Sequence, residues 1–158
     1  MFRPAKSVAD FYQLLPADDG SLLVVVGEVS GKGLEPAMLV AVIVGALGDL
    51  TSRVPAEVLI HLNQVVMGKT RGGFVTCCCA MFRLDGTVEI ANAGHIAPYV
   101  QGRELEIAPG LPVGIFSDAE YESATFSLKS GAITFFSVVW LRRPTALASC
   151  WVSNGWRV

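Results

Sequence analysis

The sequence has 158 residues, which is enough for one domain with a buried core. Hydrophobic residues make up 52% of it and charged residues 16%, so much of the chain must be interior or covered by a partner. The formal net charge of −2 offers no basic surface and argues against a nucleic acid as ligand.

Membrane insertion and secretion are also disfavoured by the sequence. The longest apolar run, residues 37–47, is broken only by Gly45 and is shorter than the ~20 residues that cross a bilayer. The first six residues, Met-Phe-Arg-Pro-Ala-Lys, contain no apolar signal core. We therefore predict that this chain does not insert into a membrane and that the protein is cytoplasmic.

The first predicted elements are a β-hairpin, a loop and a helix. Residues 11–15 and the unbroken apolar run 22–26 are typical of strands on either side of a turn at 17–20. A glycine-rich loop at 27–33 follows them. Residues 37–50 then predict a helix that is apolar nearly all round, and we expect such a helix to be covered on most sides.

The middle of the chain predicts a second helix followed by antiparallel strands. Pro55 begins a helix through 66, and apolar residues recur in it at helical spacing. A strand at 74–84, a turn at Asp85-Gly86 and a strand at 87–92 form a second hairpin. Further short strands fit 97–101, 104–108 and 121–128. Two helices beside several antiparallel strands predict an α+β fold.

Three of the four cysteines are consecutive, at positions 77–79. Neighbouring residues of a strand point to opposite faces, so these three thiols cannot all bind one metal ion. Cys150 is distant from them and no Cys-x-x-Cys pair occurs. We interpret the cysteines as small buried residues of a reduced cytoplasmic protein.

Two acidic residues, Asp10 and Glu28, fall on or at the end of the two strands of the first hairpin. Carboxylates brought together there repel each other unless a cation lies between them, and Mg²⁺ and Mn²⁺ prefer such oxygen ligands. The glycines around Val29 would let its carbonyl reach the same cation. A surface acid beside a helix-entry loop remains the alternative. A phosphate-binding P-loop is excluded, because Val26 and Gly33 stand where that motif needs glycine and Ser or Thr.

Several motifs in order resemble those of one phosphatase family. They are Asp-Phe-Tyr at 10–12, Gly-Glu-Val-Ser-Gly-Lys-Gly at 27–33, Gly-Phe-Val-Thr at 73–76, Ala-Asn-Ala-Gly-His at 91–95 and Gly-Leu-Pro-Val-Gly at 110–114. The chain is identified by them, over about residues 3–137, as a member of the SpoIIE/RsbU branch of PPM-type (2C-like) serine/threonine phosphatases.

The resemblance implies a sandwich of two antiparallel sheets flanked by helices, with a two-metal site at one end. It implies Asp10 and Glu28 as the catalytic, metal-bridging acids, with the Val29 carbonyl as a further ligand to Mn²⁺ or Mg²⁺. A metal-bound hydroxide would then attack phosphoserine or phosphothreonine. The partner implied by the family is a phosphorylated anti-sigma-factor antagonist, a small STAS-type protein.

Three polar residues are candidates for supporting this site. Thr76 and Asn92 are expected to hold strand ends by hydrogen bonds and so to orient the metal ligands. His95 could serve as a general acid or bind a turn backbone, and we favour the structural role.

The chain departs from the family pattern at the site itself. Glu28 replaces the usual aspartate, Val8-Ala9 replaces Gly-Gly, and the family's aspartate after Ser137 is missing. An impaired remnant or pseudophosphatase that only binds a STAS-type partner is therefore the alternative to an active enzyme.

The last residues differ in composition from the rest. All three tryptophans follow Ser137, and no acidic residue occurs after Glu122. One nucleotide sequence that could encode residues 138–158, when it is translated in a shifted frame, gives a sequence that resembles the family's continuation. We therefore predict a phosphatase-like domain at 1–137, clipped at its N-terminus, and an aberrant tail at 138–158 produced by a frameshift. Resequencing would refute this if the DNA frame were intact through codon 158 and the shifted frame full of stops.

Overall fold

The computed structural model of the protein describes residues 7–31, 34–129, 131–137 and 149–153. The helices are α1 (Glu35–Gly48) and α2 (Pro55–Val66). The strands are β1 (Ser7–Pro16), β2 (Leu22–Gly31), β3 (Val75–Phe82), β4 (Thr87–Ala93), β5 (Tyr99–Val100), β6 (Arg103–Glu104), β7 (Ser123–Ser127), β8 (Ile133–Ser137) and β9 (Ser149–Ser153).

The strands form two antiparallel sheets, and both helices pack on the first of them. The first sheet has the order β1-β2-β3-β4-β7, and the second has the order β6-β5-β8-β9. Alternate residues of β2 supply two cores: Leu23 and Val25 face the helices, while Val24 and Val26 face the second sheet. The predicted α+β architecture of two sheets flanked by helices is therefore confirmed.

The β1–β2 hairpin is confirmed but is longer than predicted, because β2 continues through Gly31. The expected loop at 27–33 is therefore wrong for residues 27–31, and Lys32 and Gly33 lie outside the described residues. The strand continues because Ser30 stays bonded to the chain entering β3. Its N–H donates to the Phe74 carbonyl at 2.9 Å, and its hydroxyl bonds the Phe74 carbonyl and N–H at 3.0 and 2.9 Å.

Helix α1 is less covered than its composition predicts. Only one face is buried, by Pro36, Leu39, Ile43 and Leu47. Met38 is 69% exposed and Val42 is 40% exposed, so the expectation of cover on most sides is wrong for the part of the chain that is described. The helix lies in the outer layer, where it packs on the first sheet and against α2 and leaves its remaining side exposed. No helix among the described residues has the length and apolar character to cross a membrane.

The predicted strands at 97–101 and 104–108 shrink to the two-residue strands β5 and β6. The chain leaves the second sheet after Glu104 and crosses to the first, where Gly110 donates its N–H to the Asn92 carbonyl at 2.8 Å. The other predicted elements, α2, β3, β4 and β7, form at their expected positions.

The described part of the predicted tail is a strand at the edge of the second sheet. Backbone pairing joins β9 to β8, with Trp151 opposite Phe135. The other two tryptophans lie outside the described residues.

The three consecutive cysteines are fully buried and alternate between the two cores. Cys77 and Cys79 face the helices, whereas Cys78 faces the second sheet. Burial raises the pKa of the Cys78 and Cys79 thiols, which makes them poor nucleophiles. Their geometry therefore agrees with a packing role.

Candidate metal centre

The two predicted metal-binding acids lie opposite each other on neighbouring strands. Asp10 on β1 is the register partner of Glu28 on β2, and Glu28 is the partner of Thr76 on β3. Direct partners in an antiparallel sheet project to the same face, here the face that carries Val26 and Cys78 toward the second sheet. The row of polar side chains thus begins where the apolar core between the sheets ends.

Both carboxyl groups are disfavoured in their ionised form. Partial burial raises the pKa of Asp10. Partial burial also raises the pKa of Glu28, and the nearby Asp10 carboxylate raises it further. A cation between these groups would relieve their repulsion and replace the water that burial removes.

The residues at this site fit one divalent cation. Asp10 and Glu28 supply two oxygen ligands, and Mg²⁺-like ions commonly keep several waters beside one or two carboxylates. Among the residues that the structure describes, no cluster of three or more His, Cys, Asp or Glu side chains could hold a metal. The implied two-metal site therefore has, in the described ranges, side-chain ligands for one ion only.

The Val29 carbonyl lies in a strand instead of the expected loop. The N–H of Ser30 points toward β3, where it bonds to Phe74, so the carbonyl of Val29 points the opposite way, toward β1. A carbonyl oxygen has two lone pairs and can accept a hydrogen bond while it faces a cation. Its part in metal binding stays a prediction.

The three supporting residues are joined by short hydrogen bonds. Thr76 Oγ1 lies 2.9 Å from Nδ1 of His95. The Asn92 side chain binds the backbone of His95 twice, donating from Nδ2 to its carbonyl at 2.8 Å and accepting from its N–H at 2.9 Å. His95 and Asn92 are both buried, so these bonds fix the turn after β4 beside the polar row.

Two glycines allow the strands to approach closely at this end of the sheet. A Cβ on Gly27 would lie 2.5 Å from the Thr76 carbonyl oxygen, and one on Gly73 would lie 2.2 Å from the Ser30 carbonyl oxygen. Neither contact is possible for a larger residue without a shift of the backbone. These glycines therefore hold Glu28 and Thr76 on adjacent, tightly paired strands.

A cavity of about 330 Å³ opens beside the same strand end and was not predicted from the sequence. Its wall includes Ser30, Pro36 and Phe74, together with the turn at 69–73. Arg71 in that turn has a φ of +43° and binds Glu35 of α1 at 2.7 Å. The Gly-Gly pair signals the turn, but no local pattern could have predicted an ion pair between residues 36 positions apart.

Comparison with known proteins gives consistent matches. A family model described as Stage II sporulation protein E (SpoIIE) matches residues 18–137, a range that includes Glu28, Thr76 and His95 and begins after Asp10. The phosphoserine phosphatase RsbU of Bacillus subtilis (strain 168) is 30% identical over 145 residues, which cover 85% of this chain and 43% of that protein.

Solved structures share the fold. The RsbU and RsbW domains of Rv1364c from Mycobacterium tuberculosis match with a TM-score of 0.71 and 24% identity, over 87% of this chain and 41% of that one. The PP2C phosphatase domain of SpoIIE from Bacillus subtilis, solved with a fragment of its regulatory domain, matches with a TM-score of 0.57 and 13% identity, over 80% and 38%. The chain therefore spans less than half the length of these relatives.

Proposed function

The chain belongs to the SpoIIE family, and we propose that it is a metal-dependent phosphatase domain acting on phosphoserine or phosphothreonine. The observation that carries this proposal is the pairing of Asp10 with Glu28 at the end of the layer between the sheets. Their raised pKa values mark a site where negative charge is poorly compensated and a cation is favoured.

The residues have separate tasks in the proposed site. Asp10 and Glu28 would hold Mn²⁺ or Mg²⁺, with the Val29 carbonyl as a further oxygen ligand. Such an ion supplies an activated water and neutralises charge on the phosphoryl oxygens. Ser30, through its bonds to Phe74, keeps the end of β2 fixed so that both acids present a constant geometry.

The proposed partner is a phosphorylated anti-sigma-factor antagonist of the STAS type, and the proposed location is the cytoplasm. Two relatives support a phosphoprotein partner. One is named for its action on phosphoserine, and the other joins RsbU and RsbW domains in one chain. A net charge of −2 is compatible with a protein partner and gives no attraction to nucleic acid.

A second candidate is an impaired remnant or pseudophosphatase that binds the same partner without turnover. The described residues gather only two carboxylates, and Glu28 is one methylene longer than the aspartate of the family pattern. We also propose that residues 138–158 are a frameshifted tail, which would explain why no acid follows Ser137.

Hydrolysis of p-nitrophenyl phosphate and of a phosphorylated STAS protein in Mn²⁺ tests the proposal. We expect turnover that Asp10→Asn and Glu28→Gln each reduce at least about 100-fold. Glu89→Gln is the matched control, because Glu89 lies on β4 and pairs with Arg83 on the surface. Absence of turnover above a metal-only blank, with retained binding of the phosphorylated partner, would favour the pseudophosphatase instead.

A further inference from the structure

Two cavities lie side by side along helix α1. The first, of about 330 Å³, includes Val29, which directly follows Glu28 of the candidate metal centre in β2. The second, of about 420 Å³, includes Met38 and Val42 of α1. Four residues line both cavities: Glu35, Leu39, Lys69 and Arg71. We call the two cavities together the α1 groove, and it extends from the strand end at Val29 along one side of the helix.

The α1 groove combines apolar side chains with a cationic rim. Met38 and Val42 are exposed in it, at 69% and 40%. Among the described residues that line the groove, Lys69 and Arg71 are the cations and Glu35 is the acid. The rim thus carries a net positive charge in a chain whose formal net charge is −2. Such a surface is complementary to a ligand that offers both an acidic and an apolar side chain.

Arg71 has donor capacity beyond its ion pair with Glu35. Its Nη1 lies 2.7 Å from Glu35 Oε1, and the two side chains are 76% and 54% exposed. Ion pairs with this exposure contribute little to stability, so little is lost when Arg71 binds another carboxylate. A guanidinium has five N–H donors and binds carboxylates through paired hydrogen bonds. Lys69 bonds the Val65 carbonyl, which uses one of the three donors of its ammonium group.

We infer that the α1 groove binds the polypeptide chain of the phosphoprotein substrate beside its phosphorylated residue. An acidic side chain of that segment pairs with Arg71 and Lys69, and an apolar side chain packs on Met38. The phosphorylated residue itself lies at the cation beside Glu28, one residue from the wall of the groove. The inference rests on the proposed function, because it concerns another part of the same substrate. Contacts remote from the reacting group supply binding energy that selects one substrate over another.

Fluorescence anisotropy of a labelled phosphoserine peptide, in Mn²⁺ at low ionic strength, tests the acidic contact. The peptide carries glutamate and leucine on both sides of the phosphoserine. We expect Arg71→Gln to weaken its binding about 10-fold or more, because hydrogen bonds between charged groups are lost. A peptide with glutamine in place of glutamate should bind weakly to both proteins. Arg103→Gln is the matched control, since Arg103 is exposed on β6 and lines neither cavity.

Glu35→Gln distinguishes substrate binding from a purely structural role of the ion pair. Both Arg71→Gln and Glu35→Gln break the 2.7 Å contact. In the proposed role Glu35 competes with the substrate for Arg71, so Glu35→Gln should leave peptide affinity unchanged or raise it up to about 3-fold. Equal losses of affinity in the two variants would mean that the ion pair only holds the turn, and would overturn the inference.

Met38→Gln tests the apolar contact. We expect it to weaken binding of the leucine-containing peptide about 3-fold or more, and to have no effect on a peptide with serine in place of leucine. Leu84→Gln is the matched control, because Leu84 is 73% exposed in the turn between β3 and β4, at the other end of the sheet. Equal effects of the two substitutions would contradict the apolar contact.

The outcomes separate this inference from the proposed function. A wild type that hydrolyses p-nitrophenyl phosphate but binds the acidic and neutral peptides alike, or binds neither, overturns the inference alone. A wild type that binds the acidic peptide through Arg71 and hydrolyses no phosphate ester supports the inference and removes the phosphatase proposal. A wild type that does neither overturns both. A dimer that Met38→Gln dissociates in sedimentation would mean that a second copy covers the groove, and would also overturn the inference.

Discussion

Replacing Glu28 with glutamine removes one of two carboxylates that face each other across β1 and β2. Burial raises the pKa of both groups, and the Asp10 charge adds to the shift of Glu28. In the metal-free protein the ionised pair therefore destabilises the folded state. We expect Glu28→Gln to raise the free energy of unfolding at pH 7 when no metal is bound.

The magnitude follows from the separation and exposure of the pair. Direct partners in a sheet have Cβ atoms about 4.5–5.5 Å apart, and two unit charges at about 5 Å repel by about 3 kcal/mol at an effective dielectric constant of about 20. Asp10 is exposed and Glu28 is half-buried, so solvent screening reduces this repulsion to about 1 kcal/mol. In a protein of this length a gain of about 1 kcal/mol raises Tm by about 2–4 °C.

The sign of the pH dependence is fixed by the direction of the pKa shifts. An acid whose pKa is raised by folding binds its proton more tightly in the folded state, so its contribution to stability falls as pH rises. The destabilisation by the ionised pair is absent below the pKa values of the unfolded chain, about 3.9 for Asp and 4.3 for Glu. It grows as pH rises through the raised pKa values of the folded state. The gain in the free energy of unfolding that Glu28→Gln brings should therefore be present at pH 7 and shrink toward zero near pH 4.

Urea denaturation at several pH values, in EDTA and then in Mn²⁺, measures these effects. In Mn²⁺ the wild type should become more stable than Glu28→Gln. A ligand present at 100 times its Kd stabilises the wild type by about 2.7 kcal/mol, and we expect it to stabilise the variant by less. Glu89→Gln is the control, because it breaks a 2.8 Å ion pair with Arg83 and should lower the free energy of unfolding instead of raising it. A Glu28→Gln variant that is less stable than the wild type in EDTA at pH 7 would refute the argument from repulsion.

Three further predictions concern two other contacts and the length of the Glu28 side chain. Asn63→Leu removes the acceptor 2.7 Å from the buried N–H of Gly114 and should lower the free energy of unfolding by about 1–3 kcal/mol. Urea denaturation measures this change, and a loss below about 0.5 kcal/mol would contradict it. Gly73→Ala places a Cβ 2.2 Å from the Ser30 carbonyl oxygen and should cost at least about 1–3 kcal/mol in the same assay, whereas unchanged stability would refute the close approach. Glu28→Asp restores the residue of the family pattern and should raise turnover of p-nitrophenyl phosphate about 10-fold or more, and equal or lower turnover would count against a misplaced carboxylate.

Local pattern alone predicted most of the secondary structure. The apolar run at 22–26 and the helical spacing from Pro55 onward depend only on neighbours in the chain, and both elements formed where expected. The ordered motifs also led to the family that the comparisons support. Predictions failed where the outcome depends on distant partners: β2 extends to Gly31 because Ser30 bonds Phe74, which lies 44 positions later.

At the candidate site, too, some features could be predicted from the sequence and others were decided by the tertiary structure. The sequence identified Asp10, Glu28 and Thr76 as polar residues at strand ends, because residue type and position in a strand are visible in the chain itself. Their alignment in one row was decided by the register of three strands, and the bond from Thr76 to His95 by the turn that Asn92 holds. Composition made α1 apolar all round, yet only the packing determined that Met38 and Val42 remain exposed. These features are non-local, since they depend on which surfaces meet after the sheets have paired, and no stretch of sequence contains that information by itself.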